Sequence, residues 1–352
     1  MKKFIVLLLV LMLLLGVVGC KSESFELALV TDHGPIDDKS FNQGAWEGVE
    51  NYATDNNKTY KYYRPTESSA AGRLDSIAIA VKGGAKVVVC PGFAFGEVVY
   101  EAQTKYPDVK FILLDADPHS ADFSDFKITD NTYSIYYAEE QAGFLAGYAA
   151  VKEGMTELGF MGGVSVPAVI RFGVGYIEGA DYAAQEEGVD VNVMYTYTGG
   201  FAAKPEIKTL ASSWFNGGTE VVFSAAGGAI NNNISAAEEI AGKKVIGCNV
   251  DQSSISETII TSSLKLLTES VYNGISDYYN DSFKGGQIEN LAASNNGVAL
   301  TDDFSKFENF TASDYEVVLD KLKSGEIVVT SETELDIAND LNVMSTTVTL
   351  VE

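Results

Sequence analysis

Short apolar runs that stop abruptly, each followed by a helix-like stretch, constrain this chain more than any other feature. The runs lie at 26–31, 86–90, 110–114, 157–161, 190–195, 220–224 and 244–248, and Val87-Val88-Val89-Cys90 is typical of them. Helical patterns fill the intervals at 42–55, 72–82, 96–106, 134–153, 172–187, 203–216, 231–241 and 262–280. Apolar runs without polar alternation predict strands buried on both faces, and their alternation with helices predicts parallel βαβ units. The series breaks near Asp130-Asn131, where residues 116–130 replace the usual short turn. The expected fold class is therefore α/β, with two doubly wound parallel-sheet lobes and a cleft between them. Residues 26–129 with about 260–287 are expected to form the N-terminal lobe, and 130–259 with about 288–352 the C-terminal lobe. Within the tail, 288–293, 298–300 and 327–330 read as strands and 315–324 as a short helix.

The first residues are of another kind. Lys2-Lys3 precede an apolar block from Phe4 to Val18, and Val17-Val18-Gly19-Cys20 closes it. A basic start, a short apolar core and small residues at its end describe a secretory signal, expected over 1–19. The block is shorter than the roughly 20 residues of a spanning helix. Its ending fits a bacterial lipobox, so Cys20 is the expected lipidation site (palmitate among its acyl chains) and 20–25 the lipidated tether. Acyl chains contribute about 0.8 kcal/mol of membrane affinity per buried methylene. The expected location is the extracytoplasmic face of the cell membrane, lipid-anchored.

Charge and residue type remove several functions. The formal net charge is −25, and loss of Lys2 and Lys3 with the leader makes it more negative still. Such a field repels nucleic acid and disfavours polyanionic ligands; a neutral ligand suits it better. After Cys20 only Cys90 and Cys248 remain, both at the ends of apolar runs and expected as buried thiols. The two histidines, His33 and His119, are too few for a histidine-rich metal site or a Ser-His-Asp unit. Gly173-x-Gly175-x-x-x-Gly179 misses the dinucleotide fingerprint by one spacing and lies inside a helical pattern. Asp37-Asp38 could act as an acid/base or metal pair, but an acidic lead-in to a helix is the favoured reading. No catalytic residue, cofactor or metal is expected, so the chain is read as a non-enzyme.

Ligands of open parallel sheets bind beyond the carboxyl ends of the strands. Those ends gather Asp32, Asp115 and Asp251 as acceptors for hydroxyl or ring N–H groups. They also bring Phe41 and Phe201, whose flat faces could sandwich an aromatic base for about 1–3 kcal/mol per stacked base. Acceptors together with aromatic plates suit a sugar-plus-base ligand.

Several stretches resemble the basic membrane protein family of substrate-binding lipoproteins, which includes a purine nucleoside receptor of spirochaetes. They are Val30-Thr31-Asp32-x-Gly34-x-x-Asp37-Asp38-Lys39-Ser40-Phe41-Asn42-Gln43, Pro91-Gly92-Phe93, Glu139-Glu140-Gln141-Ala142-Gly143-Phe144-Leu145-Ala146-Gly147, Asp251-Gln252-Ser253 and Thr261-Ser262-x-x-Lys265. The resemblance implies a type I periplasmic-binding-protein-like fold. It implies ligand contacts from Asp32 and Asn42, stacking by Phe41 and Phe201, and a hydrogen bond from the base to Asp115. Close backbone approach at Gly227 or Gly228 and donation by Lys265 are implied as well. Members often carry Asp where this chain has Asn249, so the ribose contact would fall to Asn249 or to Asp251. The implied partners are a purine nucleoside and an ABC transporter permease. Other readings are a sugar or signalling molecule in the same cleft, a surface interaction protein, or a nucleoside-cleaving enzyme using Asp37 and Asp38.

Overall fold

The computed structural model describes residues 24–32 and 34–351. The expected signal 1–19, Cys20 with most of its tether, and His33 lie outside the described residues.

The first sheet is built from β1 (Leu27–Val30), β2 (Tyr60–Tyr63), β3 (Val87–Pro91), β4 (Lys110–Leu114), β5 (Thr132–Tyr137) and, from far along the chain, β11 (Gln287–Leu291). Its order is β11-β5-β4-β3-β1-β2, and every pairing is parallel. The second sheet contains β6 (Glu157–Gly162), β7 (Val191–Tyr197), β8 (Val221–Ala225), β9 (Lys244–Asn249), β10 (Ile259–Lys265), β12 (Val298–Leu300) and β13 (Thr346–Leu350). Its order is β12-β10-β9-β8-β6-β7-β13, parallel except for the β10–β12 pair. The central orders β2-β1-β3-β4-β5 and β7-β6-β8-β9-β10 repeat one another. Each sheet therefore reverses winding at one switch point, between β1 and β3 and between β6 and β8.

Helices α1 (Phe41–Asp55), α2 (Ala70–Lys82) and α3 (Gly96–Lys105) follow β1, β2 and β3. In the second half α4 (Glu139–Lys152), α5 (Pro167–Glu187), α6 (Pro205–Gly217) and α7 (Ile230–Ala237) alternate with β5 to β9. α8 (Leu267–Tyr279) follows β10, and α9 (Ala312–Ser324) comes late in the chain. Local signals set their ends: Ser69 Oγ accepts from Gly72 N–H at 3.1 Å to start α2, Pro167 opens α5, and Gly188 closes α5 in the left-handed region at φ 68°.

The glycines that mimic a nucleotide fingerprint prove to be packing devices. A Cβ on Gly175 would lie 1.9 Å from Glu140 O, and one on Gly179 would lie 2.0 Å from Phe144 O. On the facing helix, Cβ atoms on Gly143 and Gly147 would meet Phe172 O and Tyr176 O at 2.2 and 2.0 Å. α4 and α5 thus touch backbone to backbone, which no larger residue at these positions allows. α8 packs on α1 in the same manner, since a Cβ on Gly48 would lie 2.6 Å from Thr268 O.

Strand membership moves the expected crossings. β5 lies in the first sheet, so the chain leaves it after Tyr137 rather than near Asp130-Asn131. β10 lies in the second sheet, so the return occurs after Lys265 rather than near 260, and β11 rejoins the first sheet beyond 287. Both misplacements have one cause. A single residue, Ala138 or Leu266, separates each strand from its helix, and without a turn signal the helical pattern runs back into the strand. Residues 327–330 form no strand; Thr330 N–H instead donates to Glu178 at 2.8 Å.

Candidate functional site

The carboxyl ends of the two sheets face a common cavity of about 700 Å³. It sits over both switch points, with Asp32 and Gly92 from the β1/β3 pair and Val164, Ala225 and Gly227 from the β6/β8 pair among its lining. Its volume falls within the roughly 300–1,000 Å³ usual for small-molecule sites. Of the residues singled out from sequence, Asp32, Phe41, Asn42, Asp115, Phe201, Gly227, Gly228, Asn249 and Lys265 line it. Asp251 does not. It is exposed and accepts from Ser253 N–H at 2.8 Å, an Asx turn just past the strand end.

The β1–α1 loop supplies a hydrogen-bonded stretch of the wall. Asp38 accepts from the N–H groups of Ser40, Asn42 and Gln43 at 2.8, 3.1 and 3.1 Å, so it is a helix lead-in cap. Burial raises its carboxyl above the ordinary value, and those hydrogen bonds offset part of the effect. Asn42 Nδ2 donates to Asp32 Oδ1 at 2.8 Å and to Asp38 Oδ2 at 3.1 Å. Both amide protons are thereby used, while Asn42 Oδ1 is buried without a hydrogen-bond partner.

A chain of charges lies at the cavity floor. Lys265 Nζ stands 2.6 Å from Asp115 Oδ2 and 2.5 Å from Glu139 Oε1. Arg171 Nε pairs with Glu139 Oε2 at 2.6 Å and lies 3.8 Å from Glu140 Oε2. Burial pushes Asp115 up; Lys265 pulls it back and Glu139 adds to the rise, leaving it at about 6. Burial also opposes ionisation of Glu139, but Lys265 and Arg171 outweigh it and hold that carboxyl below its ordinary value. The same two acids overcome the burial of Lys265 and keep its ammonium charged. Asp115 Oδ1 is buried with no partner. The Lys265 ammonium is further enclosed by the rings of Phe41, Tyr137 and Phe172, at 5.0, 5.1 and 5.5 Å to their centroids.

Backbone strain concentrates here. Lys39, Asp115 and Asn249, at φ 56°, 59° and 73°, are three of the seven non-glycine residues with positive φ among the described residues, and all three line the cavity. Such conformations persist where surrounding structure imposes them and cluster at ligand sites. Asn249 Nδ2 donates to Ser40 Oγ at 2.9 Å, and Gln252 Nε2 donates to Lys39 O at 2.7 Å. These bonds tie the loop after β9 to the loop after β1, joining the lobes at the cavity rim.

Two phenyl rings reach the cavity from opposite lobes. Phe41 opens α1, and Phe201 follows β7. Phe201 seats on glycine: a Cβ on Gly163 would lie 2.3 Å from its Cε1. Among the described residues neither ring pairs with another aromatic ring, in contrast to Phe93, which lines the same cavity but stacks on Phe123 at 6.2 Å. Sequence reasoning missed Glu139 and Arg171 as the charges paired behind the floor and Phe172 as part of the cavity wall. Only the acidic Glu139-Glu140 pair beside a cation-bearing helix hinted at them.

Fold and cavity together define a class: two-lobed α/β proteins that enclose a small molecule between opposed switch points. The family described as "ABC transporter substrate-binding protein PnrA-like" (Bmp) matches residues 25–333, and the chain belongs to it. Its function is accordingly substrate binding and not enzymatic turnover. The chain is similar to the "ABC transporter nucleoside-binding protein BmpA" of Lactococcus lactis subsp. cremoris, at 29% identity over 308 residues, covering 81% of this chain and 84% of that protein. It is similar to "Basic membrane protein A1" of Borrelia garinii subsp. bavariensis, at 29% identity over 77% of each chain. An ABC transporter solute-binding protein from Aeropyrum pernix superposes with a TM-score of 0.74 at 25% identity, over 88% of this chain and 94% of that one. Thiols Cys90 and Cys248 are free and buried, as expected. Among the described residues no helix is long and apolar enough to cross a membrane, and no cluster of His, Cys, Asp or Glu could hold a metal ion.

Proposed function

We propose that this protein is a lipid-anchored surface receptor that captures a purine nucleoside in the interlobe cavity and delivers it to an ABC importer. The observation that carries the reading is one cavity lined by two phenyl rings that stack on no other ring among the described residues, Phe41 and Phe201, and by Asp115, whose buried Oδ1 has no hydrogen-bond partner. A flat base fits between apolar plates, and a ring N–H would satisfy the acceptor. Asp32 and Asn42, and across the cleft Asn249, are the groups we give to the ribose hydroxyls. Similarity to the Lactococcus nucleoside-binding protein supports the ligand class, and Cys20 with its leader supports the anchor.

Isothermal titration with guanosine, inosine, adenosine and uridine tests the ligand. Heat from purine nucleosides is expected, and 2′,3′-dideoxy analogues should bind far more weakly because the polar wall would be left unpaired. No heat from any of the four removes the nucleoside reading.

A further inference from the structure

We infer that Lys265 is a positioning residue: it does not bond the ligand but holds Asp115 charged and aimed into the cavity, with Glu139 and Arg171 setting the balance of charge behind it. The inference rests on the proposed nucleoside reading of the cavity. Lys265 spends its ammonium on two carboxylates, at 2.6 and 2.5 Å, and three rings enclose it. Asp115 lines the cavity, and its Oδ1 is buried without a hydrogen-bond partner.

The chain of contacts also runs through the places where the lobes join. Asp115 follows β4 of the first lobe, Glu139 opens α4 just after one crossing, Lys265 ends β10 just before the next, and Arg171 lies on α5 of the second lobe. The ligand-facing acid is thus tied to both crossings through one lysine. The other groups around it are Glu140, the phenols of Tyr136 and Tyr137, and the Cys248 thiol; burial keeps the phenols and the thiol protonated. Glu140, pushed up by burial to about 7, titrates in a neighbouring window.

The test is nucleoside affinity of the full chain as a function of pH. Wild-type affinity should fall by about tenfold per pH unit below the Asp115 midpoint near 6. Lys265→Met should move that midpoint up, because the cation holding Asp115 ionised is gone. Glu139→Gln should move it down, because a neighbouring negative charge is gone. Glu140→Gln should leave the Asp115 step in place, because Glu140 does not line the cavity. A uniform loss of affinity in Lys265→Met with its midpoint unmoved would mean direct donation to the ligand and would overturn the inference, as would same-sign shifts in the two variants. If Lys265→Met does not fold, the downward shift in Glu139→Gln decides alone. If wild type binds no nucleoside even at pH 8, the nucleoside reading is what fails. Titration of the carbon-13-labelled Asp115 carboxyl in ligand-free protein then carries the same opposite shifts.

Discussion

The two walls of the cavity are built on opposite plans. The first lobe presents Asp32, Asp37, Asp38 and Asp115, together with Asn42, on loops cross-linked by their own hydrogen bonds. The second lobe contributes no carboxylate to the lining. It offers Val164, Val166, Val169, Ala225, Gly227 and Gly228, with Phe172 and Phe201 as its large rings and Asn231, Asn249 and Lys265 as its polar members. A polar wall needs fixed acceptors, because an unpaired buried group costs about 1–3 kcal/mol. An apolar wall needs only shape, and small residues let a flat ligand and a phenyl ring approach the backbone. The first lobe therefore concentrates the carboxylate acceptors, and the second is the more apolar surface, with Asn231, Asn249 and Lys265 as its polar contacts.

The largest effect should come from the point where the plans meet. Asp115→Ala leaves Lys265 with one carboxylate instead of two and deletes the free acceptor. Breaking a buried pair in this way costs about 3–5 kcal/mol. Urea denaturation of the ligand-free variant should show a loss of that order, and titration should find binding abolished. Stability within about 1 kcal/mol of wild type would mean that the floor is not a loaded ion pair and that the walls are energetically independent.

Removing each phenyl plate sharpens the contrast at a smaller scale. Phe41→Ala and Phe201→Ala should each weaken nucleoside binding by about 1–3 kcal/mol, measured by calorimetry. They should differ in stability. Phe41 lies under the Lys265 ammonium at 5.0 Å, so its loss also opens the charged floor. Phe201 rests on Gly163 and Gly227, and its loss should be felt mainly by the ligand. Equal destabilisation in the two variants would erase this difference between the walls.

The parts visible in the sequence follow from the same physics. Strands buried on both faces appear as unbroken apolar runs, and the residues just past them must line the rim, which is why Asp32, Phe41, Asp115 and Phe201 stood out. The edge strand β2 has two exposed residues among its four, and β13 is largely exposed as well, so neither carries an apolar run. Asp251 lies outside the cavity lining because two residues past a strand end are enough for the chain to turn outward into an Asx turn. The floor was hidden for a different reason. Asp115, Glu139, Arg171 and Lys265 meet only because the chain crosses between sheets after Tyr137 and after Lys265, and no local periodicity encodes a meeting of four elements.

The smallest predicted effect concerns the seam between the walls. Asn249 Nδ2 donates to Ser40 Oγ at 2.9 Å, and that hydroxyl lies 3.4 Å from Cys248 O, so a single serine bridges the lobes by giving one bond and taking another. A typical net hydrogen bond contributes about 0.5–1.5 kcal/mol. Because these bonds hold the lobes together at the rim, their loss should appear in ligand dissociation rather than association. Asn249→Ala should speed dissociation severalfold, measured by stopped-flow displacement. Asn249→Asp exchanges a donor for an acceptor. The Ser40 hydroxyl can then turn toward the carboxylate, so this variant should dissociate more slowly than Asn249→Ala. If Asn249→Ala releases ligand at the wild-type rate, the seam contributes nothing to closure, and retention rests on the two walls alone.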